Sequence, residues 1–262
     1  MTNILAIANQ KGGVGKTTTC INLAAALSDL NKRVLVVDLD PQGNATMGLG
    51  VDSRGLELSA CELLLGEADC PAVIRTGCAG GVDLVPANTD LTAAEVALVE
   101  REQGREQVLR QCLAPVANQY DFILIDCPPS LSILTINALV AARGVLIPMQ
   151  CEYYALEGLA SLLETIEGVR QTANPGLRIE GLLRTMFDAR NNLANDVSAQ
   201  LQNHFGDRVY RTIVPRNVRV AEAPSHGEPV IRYDRRSRGA IAYLGLAGEV
   251  LRRSRQTGEQ HP

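Results

Sequence analysis

"ANQKGGVGKTTT", residues 8–19, begins on the last residue of an apolar run, ILAIA (4–8), and leads into a segment with helical spacing at Ile21, Ala24, Ala25 and Leu27. The usual phosphate-loop pattern is Gly, four residues, then Gly-Lys-Ser/Thr. Glycines let the backbone bend so that its N–H groups face an anion, the lysine reaches the terminal phosphates, and the hydroxyl ligates a magnesium ion. Gly15, Lys16 and Thr17 fit this pattern. The first glycine is due at position 10, where Gln10 stands, and an additional lysine, Lys11, occupies the loop. Gly12, Gly13 and Gly15 supply the flexibility, and a helix starting near Lys16 adds its positive end.

Further along, the chain alternates short apolar runs with helical spacing. RVLVVDLD (33–40), VDLVPA (82–87), YDFILIDCPPS (120–130), GVLIPMQ (144–150) and RIEGLLRTMF (178–187) read as strands. Residues 91–113, stopped near Pro115, and residues 156–172, 193–204 and 239–253 read as helices. Continuous Val/Ile/Leu strands between helices predict an α/β fold, a mostly parallel sheet covered by helices on both faces. No linker divides the chain, so residues 1–262 are expected to form one domain with a frayed polar tail from about 254.

In such sheets ligands collect at the carboxyl ends of the strands. Three of those ends carry fitting chemistry: the glycine loop, Asp38 with Asp40, and Asp126. An aspartate there can hold magnesium through water. Asp38 also reads as a strand-end cap, which leaves Asp40 as the better catalytic candidate. A dinucleotide fingerprint is excluded, because no G-x-G-x-x-G follows the first strand.

Two ammonium groups on one empty loop repel each other. The arrangement makes sense if Lys11 reaches outward, over a triphosphate held by a facing copy of the chain. Trans-acting charges of this kind are worth about 10³–10⁵ in rate. The alternative is a solvated surface lysine.

Composition narrows the class. Hydrophobic residues make up 46% and charged residues 21%, with a net charge of −4. That is a globular balance, and no apolar run reaches the ~18 residues of a membrane span. The start reads as a cytosolic one, without a leader. Seven scattered cysteines without a CxxC pair read as free thiols. The charge is uneven: residues 1–150 hold 10 basic and 16 acidic side chains, residues 151–262 hold 15 and 13. Arg190, Arg216, Arg219 and the run Arg232, Arg235, Arg236, Arg238 read either as a strip for DNA phosphates or as local ion pairs with Asp188, Glu222 and Asp234. Helix-turn-helix and zinc-finger spacings are absent, and aromatics are 3%, so base-specific or single-strand recognition is poorly supported.

KGGVGKTTT resembles the deviant Walker A motif of the ParA/Soj-type partitioning ATPases, relatives of the MinD and nitrogenase-iron-protein ATPases. VVDLDPQGNAT (36–46), DFILIDCPPSL (121–131), TMFDARNNL (185–193) and PRNVRVAEAPSHGEPVIRYDRRSRGA (215–240) carry the same resemblance, from residue 3 to about 250. It implies a slow, magnesium-dependent ATPase. Lys11, Gly12, Gly13, Val14, Gly15, Lys16, Thr17 and Thr18 would bind nucleotide, and Pro215 and Asn217 would line the adenine. Lys11, Lys16 and Asp40 would be catalytic. Thr17, Asp40 and Asp126 would face the metal. Arg190 and Arg219 would lie on the DNA face. The implied partners are a second copy on ATP binding, non-specific double-stranded DNA and a ParB-like centromere-binding protein, in a cytoplasmic, nucleoid-associated setting without membrane. A nucleotide-gated regulator of replication or transcription fits the same residues. A MinD-like membrane ATPase needs an amphipathic anchor, whereas Ile241, Leu244, Ala247 and Leu251 read as a core-facing helix.

Overall fold

The computed structural model describes residues 2–153 and 155–259. Eight strands form one sheet: β1 (Asn3–Ile7), β2 (Val34–Asp38), β3 (Arg75–Cys78), β4 (Val82–Val85), β5 (Phe122–Asp126), β6 (Gly144–Gln150), β7 (Arg178–Phe187) and β8 (Val209–Pro215). Their spatial order is β3-β4-β2-β5-β1-β6-β7-β8. Every neighbouring pair is parallel except β3 with β4.

The continuous apolar strands are explained by burial on both sides. Along β1, Ala6 packs on one face of the sheet, and Leu5 and Ile7 on the other. Along β5, Ile123 and Ile125 alternate in the same way with Phe122 and Leu124. The first face is covered by helices that include Leu91–Glu100, Val108–Ala117, Ile133–Ala141 and Asn192–Phe205. The second is covered by the helices Lys16–Asp29 and Arg238–Glu259. β1 sits in the middle, with β5 on one side and β6 on the other. The chain leaves β1 toward β2 on the β5 side, and later crosses from β5 to β6. The carboxyl end of β1 is thus the switch point where such sheets open a crevice.

Four local expectations need correction. The helix expected over 91–113 is two helices, Leu91–Glu100 and Val108–Ala117, separated by a turn in which Gly104 has φ +67°. Pro115 does not end the second helix. It lies inside its last turn, where the missing N–H costs one terminal hydrogen bond. The last helix runs to Glu259, beyond the expected end at 253, and Ser254 accepts a hydrogen bond from Asn3 at 2.9 Å. Its buried face is Ala240, Tyr243, Leu246, Ala247 and Val250, whereas Ile241 is 59% exposed.

Candidate nucleotide site

The loop between β1 and the helix Lys16–Asp29 is shaped by its own glycines and by polar groups from β6 and β7. Gly13 and Gly15 have φ of +72° and +86°, in the left-handed region that glycine enters without cost. Asn9 donates to the Pro148 carbonyl and accepts from the Lys11 N–H. Gln150 Nε2 donates to the Gly13 carbonyl at 3.2 Å, and Thr185 Oγ1 to the Val14 carbonyl at 2.8 Å. With its carbonyls taken up in this way, the loop offers N–H groups. Gly15 precedes the helix with no side-chain cap, so the first-turn N–H groups remain available to an anion.

The helix start opens on a cavity of about 730 Å³. Gly12, Gly13, Gly15, Lys16, Thr17 and Thr18 line one wall. Asp40, Gln42, Asn44 and Met47 line another, and Pro129, Met186, Pro224 and Ser225 complete it. The structure therefore gathers most of the loop residues and Asp40 around one space. Val14 is buried behind the loop. Pro215 and Asn217 are not among the lining residues. Asn217 instead caps the helix Val218–Glu222, accepting from the Val220 N–H. The residues of that segment that reach the cavity are Pro224 and Ser225.

The two lysines are separated. Lys16 is 7% exposed, and its Nζ donates to the Lys11 carbonyl at 3.1 Å. Burial lowers its pKa, while the charges of Asp126 and Asp40 push the other way. Lys11 turns outward to Glu152.

Three acids stand behind the loop. Asp38 and Asp126 occupy the same register position on neighbouring β2 and β5. Both are completely buried. Asp38 accepts from the Thr46 N–H and hydroxyl, each at 2.8 Å, and from the Asp40 N–H at 3.1 Å. It therefore anchors the segment 40–46 from below, and does not itself line the cavity. Asp40 accepts from the Gln42 N–H at 3.0 Å and faces the cavity. Neither oxygen of Asp126 has a hydrogen-bond partner among the described residues. Burial, then the charge of Asp38, raises its pKa well above the ordinary range. Thr17 lies close enough to offset part of this rise, yet outside hydrogen-bond geometry.

Such a buried, unpartnered carboxylate fits a hydrated cation. Among the described residues no group of three His, Cys, Asp or Glu side chains could hold a metal alone. A magnesium ion here would depend on phosphate oxygens and water, with Thr17, Asp40 and Asp126 around it. Cys127 is buried, and burial pushes its thiol well up, which leaves it an inert packing group.

The arginines expected at a DNA face are exposed but paired. Arg190 makes a bidentate contact to Asp188, with Nε and Nη2 at 2.9 and 2.7 Å. Arg219 meets Glu222 at 2.9 Å and Asp234 at 3.5 Å. Their partners are the three acids named in the ion-pair reading. Thr46, Gln150, Glu152 and Thr185 are site residues that sequence reasoning missed. Gln150 carried a signal: like Asp38 and Asp126, it is the polar end of an apolar strand.

A glycine loop at the central strand's carboxyl end, a buried lysine and strand-end aspartates define a P-loop nucleotide-binding ATPase. A family model described as an AAA domain matches residues 2–179. The sporulation initiation inhibitor protein Soj of Bacillus subtilis is 53% identical over 250 residues, covering 95% of this chain and 98% of the relative. The chromosome partitioning protein ParA of Myxococcus xanthus is 51% identical over 250 residues, covering 95% and 88%. A crystal structure of cobyrinic acid a,c-diamide synthase from Mycobacterium smegmatis, with bound ATP analog and magnesium, superposes with a TM-score of 0.85 at 40% identity, covering 97% of this chain and 96% of that one. The chain belongs to the ParA/Soj family of chromosome-partitioning ATPases.

Proposed function

We propose that this chain is an ATP-driven switch for segregating DNA. Two copies close face to face over two ATP molecules, the dimer holds double-stranded DNA without reading its sequence, and hydrolysis, stimulated by a ParB-like partner, releases it. Its setting is then the cytoplasm, on the nucleoid. The observation that carries the reading is the opposite orientation of two lysines on one loop. Lys16 is buried toward the phosphate site, and Lys11 is turned out of it.

Within one chain, Lys16, the loop N–H groups and the helix start bind the phosphates. Thr17 and Asp126 would hold a magnesium ion. When bound, that ion supplies neutralisation of charge on the transferring phosphoryl group. Asp40, on the cavity wall, would orient the attacking water and face the metal. Lys11 acts on the partner's nucleotide. Space around Gly12 supports the close approach of a second copy: a Cβ there would meet nothing within 4 Å in its own chain. Arg190 and Arg219 exchange their carboxylate partners for DNA phosphates. Among the described residues no helix is long and apolar enough to cross a membrane.

The test is particle size in magnesium-ATP, in ADP and without nucleotide, for wild type, Lys16→Ala and Asp40→Ala. Wild type should dimerise transiently in ATP, Asp40→Ala should accumulate as a dimer, and Lys16→Ala should stay monomeric. A monomeric Asp40→Ala at saturating magnesium-ATP would refute the reading.

A further inference from the structure

Lys11 carries the trans step of the proposed function, and in the free chain its ammonium meets the carboxylate of Glu152. Lys11 Nζ lies 2.5 Å from Glu152 Oε2, with the two side chains 40% and 50% exposed. Glu152 follows β6 directly, and two residues earlier Gln150 holds the Gly13 carbonyl of the same loop. The end of β6 thus touches the loop at two points, one fixing its backbone and one fixing the direction of Lys11. Lys16 points the other way, back across the loop to the Lys11 carbonyl.

A triphosphate in this loop attracts both ammonium groups. A Lys11 that folds inward over its own nucleotide strengthens binding in that subunit and is lost to the partner. A competing negative charge outside the site opposes that collapse, and Glu152 lies where it can supply one. We propose that Glu152 is a positioning residue for Lys11: it keeps the ammonium turned out of its own site and available to the nucleotide of a second copy. The inference rests on the reading that Lys11 acts across a dimer.

Its size follows from exposure. A half-exposed ion pair biases a side chain by about fivefold at most. A dimer needs two such lysines, so loss of Glu152 should weaken dimerisation by up to about 25-fold. Nucleotide affinity of the monomer should stay level or rise by up to about fivefold. Most substitutions that merely loosen the site would lower both.

The experiment uses the Asp40→Ala chain, in which hydrolysis is blocked, with and without Glu152→Gln, Glu152→Asp and Lys11→Ala. Sedimentation in magnesium-ATP gives the dimerisation constant, and titration at low protein concentration gives nucleotide affinity. Expected are weak dimerisation of Glu152→Gln with undiminished nucleotide binding, and partial recovery in Glu152→Asp. The gap between Glu152→Gln and its parent should also close near 1 M salt, where screening acts within about 3 Å. Dimerisation of Glu152→Gln equal to or tighter than its parent, beside a defective Lys11→Ala, overturns this inference alone. Normal dimerisation of Lys11→Ala overturns the trans reading, and this inference with it.

Discussion

Asp38 and Asp126 share a register position and complete burial but not their surroundings. Asp38 has three donors, two from Thr46 and one from the Asp40 backbone, and Asp126 has none among the described residues. Burial pushes the Asp38 carboxyl from 3.8 up to about 6 despite those donors. The folded state therefore binds a proton more tightly than the unfolded chain does. This group's contribution to stability is complete below about pH 4 and is lost as pH rises to about 6. Without nucleotide, the unfolding free energy should fall across that window by ~3 kcal/mol, since each tenfold difference in proton affinity is worth ~1.4 kcal/mol. Denaturant melts from pH 3.5 to 7 measure it. Thr46→Val removes a hydroxyl donor to the carboxylate and should move the window to higher pH. The sequence marks both aspartates as strand ends, but it cannot rank them. Two of the three donors that distinguish them come from a helix, Asn44–Gly48, whose placement depends on the folded sheet.

A carboxylate of the last helix clasps the edge strand β8. Glu249 accepts from the Arg211 and Thr212 N–H groups at 2.9 and 3.0 Å, from the Thr212 hydroxyl at 2.8 Å and from Arg253 at 3.0 Å. Burial works against its charge, but these donors outweigh burial and leave its pKa below the usual 4.5. Its stabilisation is thus present above that value and lost as pH falls below it. Glu249→Ala orphans two strand N–H groups and should cost ~2–4 kcal/mol, read as a lower denaturant midpoint. β8 is not legible from the sequence, because Arg211 and Thr212 interrupt the apolar residues Val209, Tyr210, Ile213 and Val214. With the strand unseen, spacing alone misplaces Ile241, which is 59% exposed, while Ala247 is buried and Leu244 and Leu251 pack half-buried against the core. Helical spacing gives the periodicity of a face, and only a packed neighbour says which phase is inside.

At the scale of the whole molecule, the proposed switch depends on how exposed arginines behave toward a polyanion. Arg190 and Arg219 each hold carboxylates on the surface, with side chains 90% and 52% exposed. Asp188 is held down at about 2, first by the Arg190 side chain and then by its N–H. Pairs this open are worth little in water and exchange readily for a phosphate. DNA affinity of the ATP state should fall steeply between 50 and 200 mM salt. Each phosphate contact removed by Arg190→Ala or Arg219→Ala should reduce the slope of log K against log salt by about 0.9. Filter binding over a salt series reads both. An unchanged slope in both variants would move the DNA face elsewhere on the molecule.

By itself the sequence determined the sheet class, the phosphate loop and the aspartates that end strands. These are short-range patterns: apolar runs fix a doubly covered parallel sheet, and glycine spacing fixes where the backbone can face an anion. Only the tertiary structure decided that Lys11 and Lys16 point apart, that Asp126 lacks a partner among the described residues while Asp38 has three, and that Pro224 and Ser225 reach the cavity where Pro215 and Asn217 do not. Those outcomes depend on contacts between residues as far apart as Lys11 and Glu152, and no local pattern encodes which distant groups the sheet order brings together.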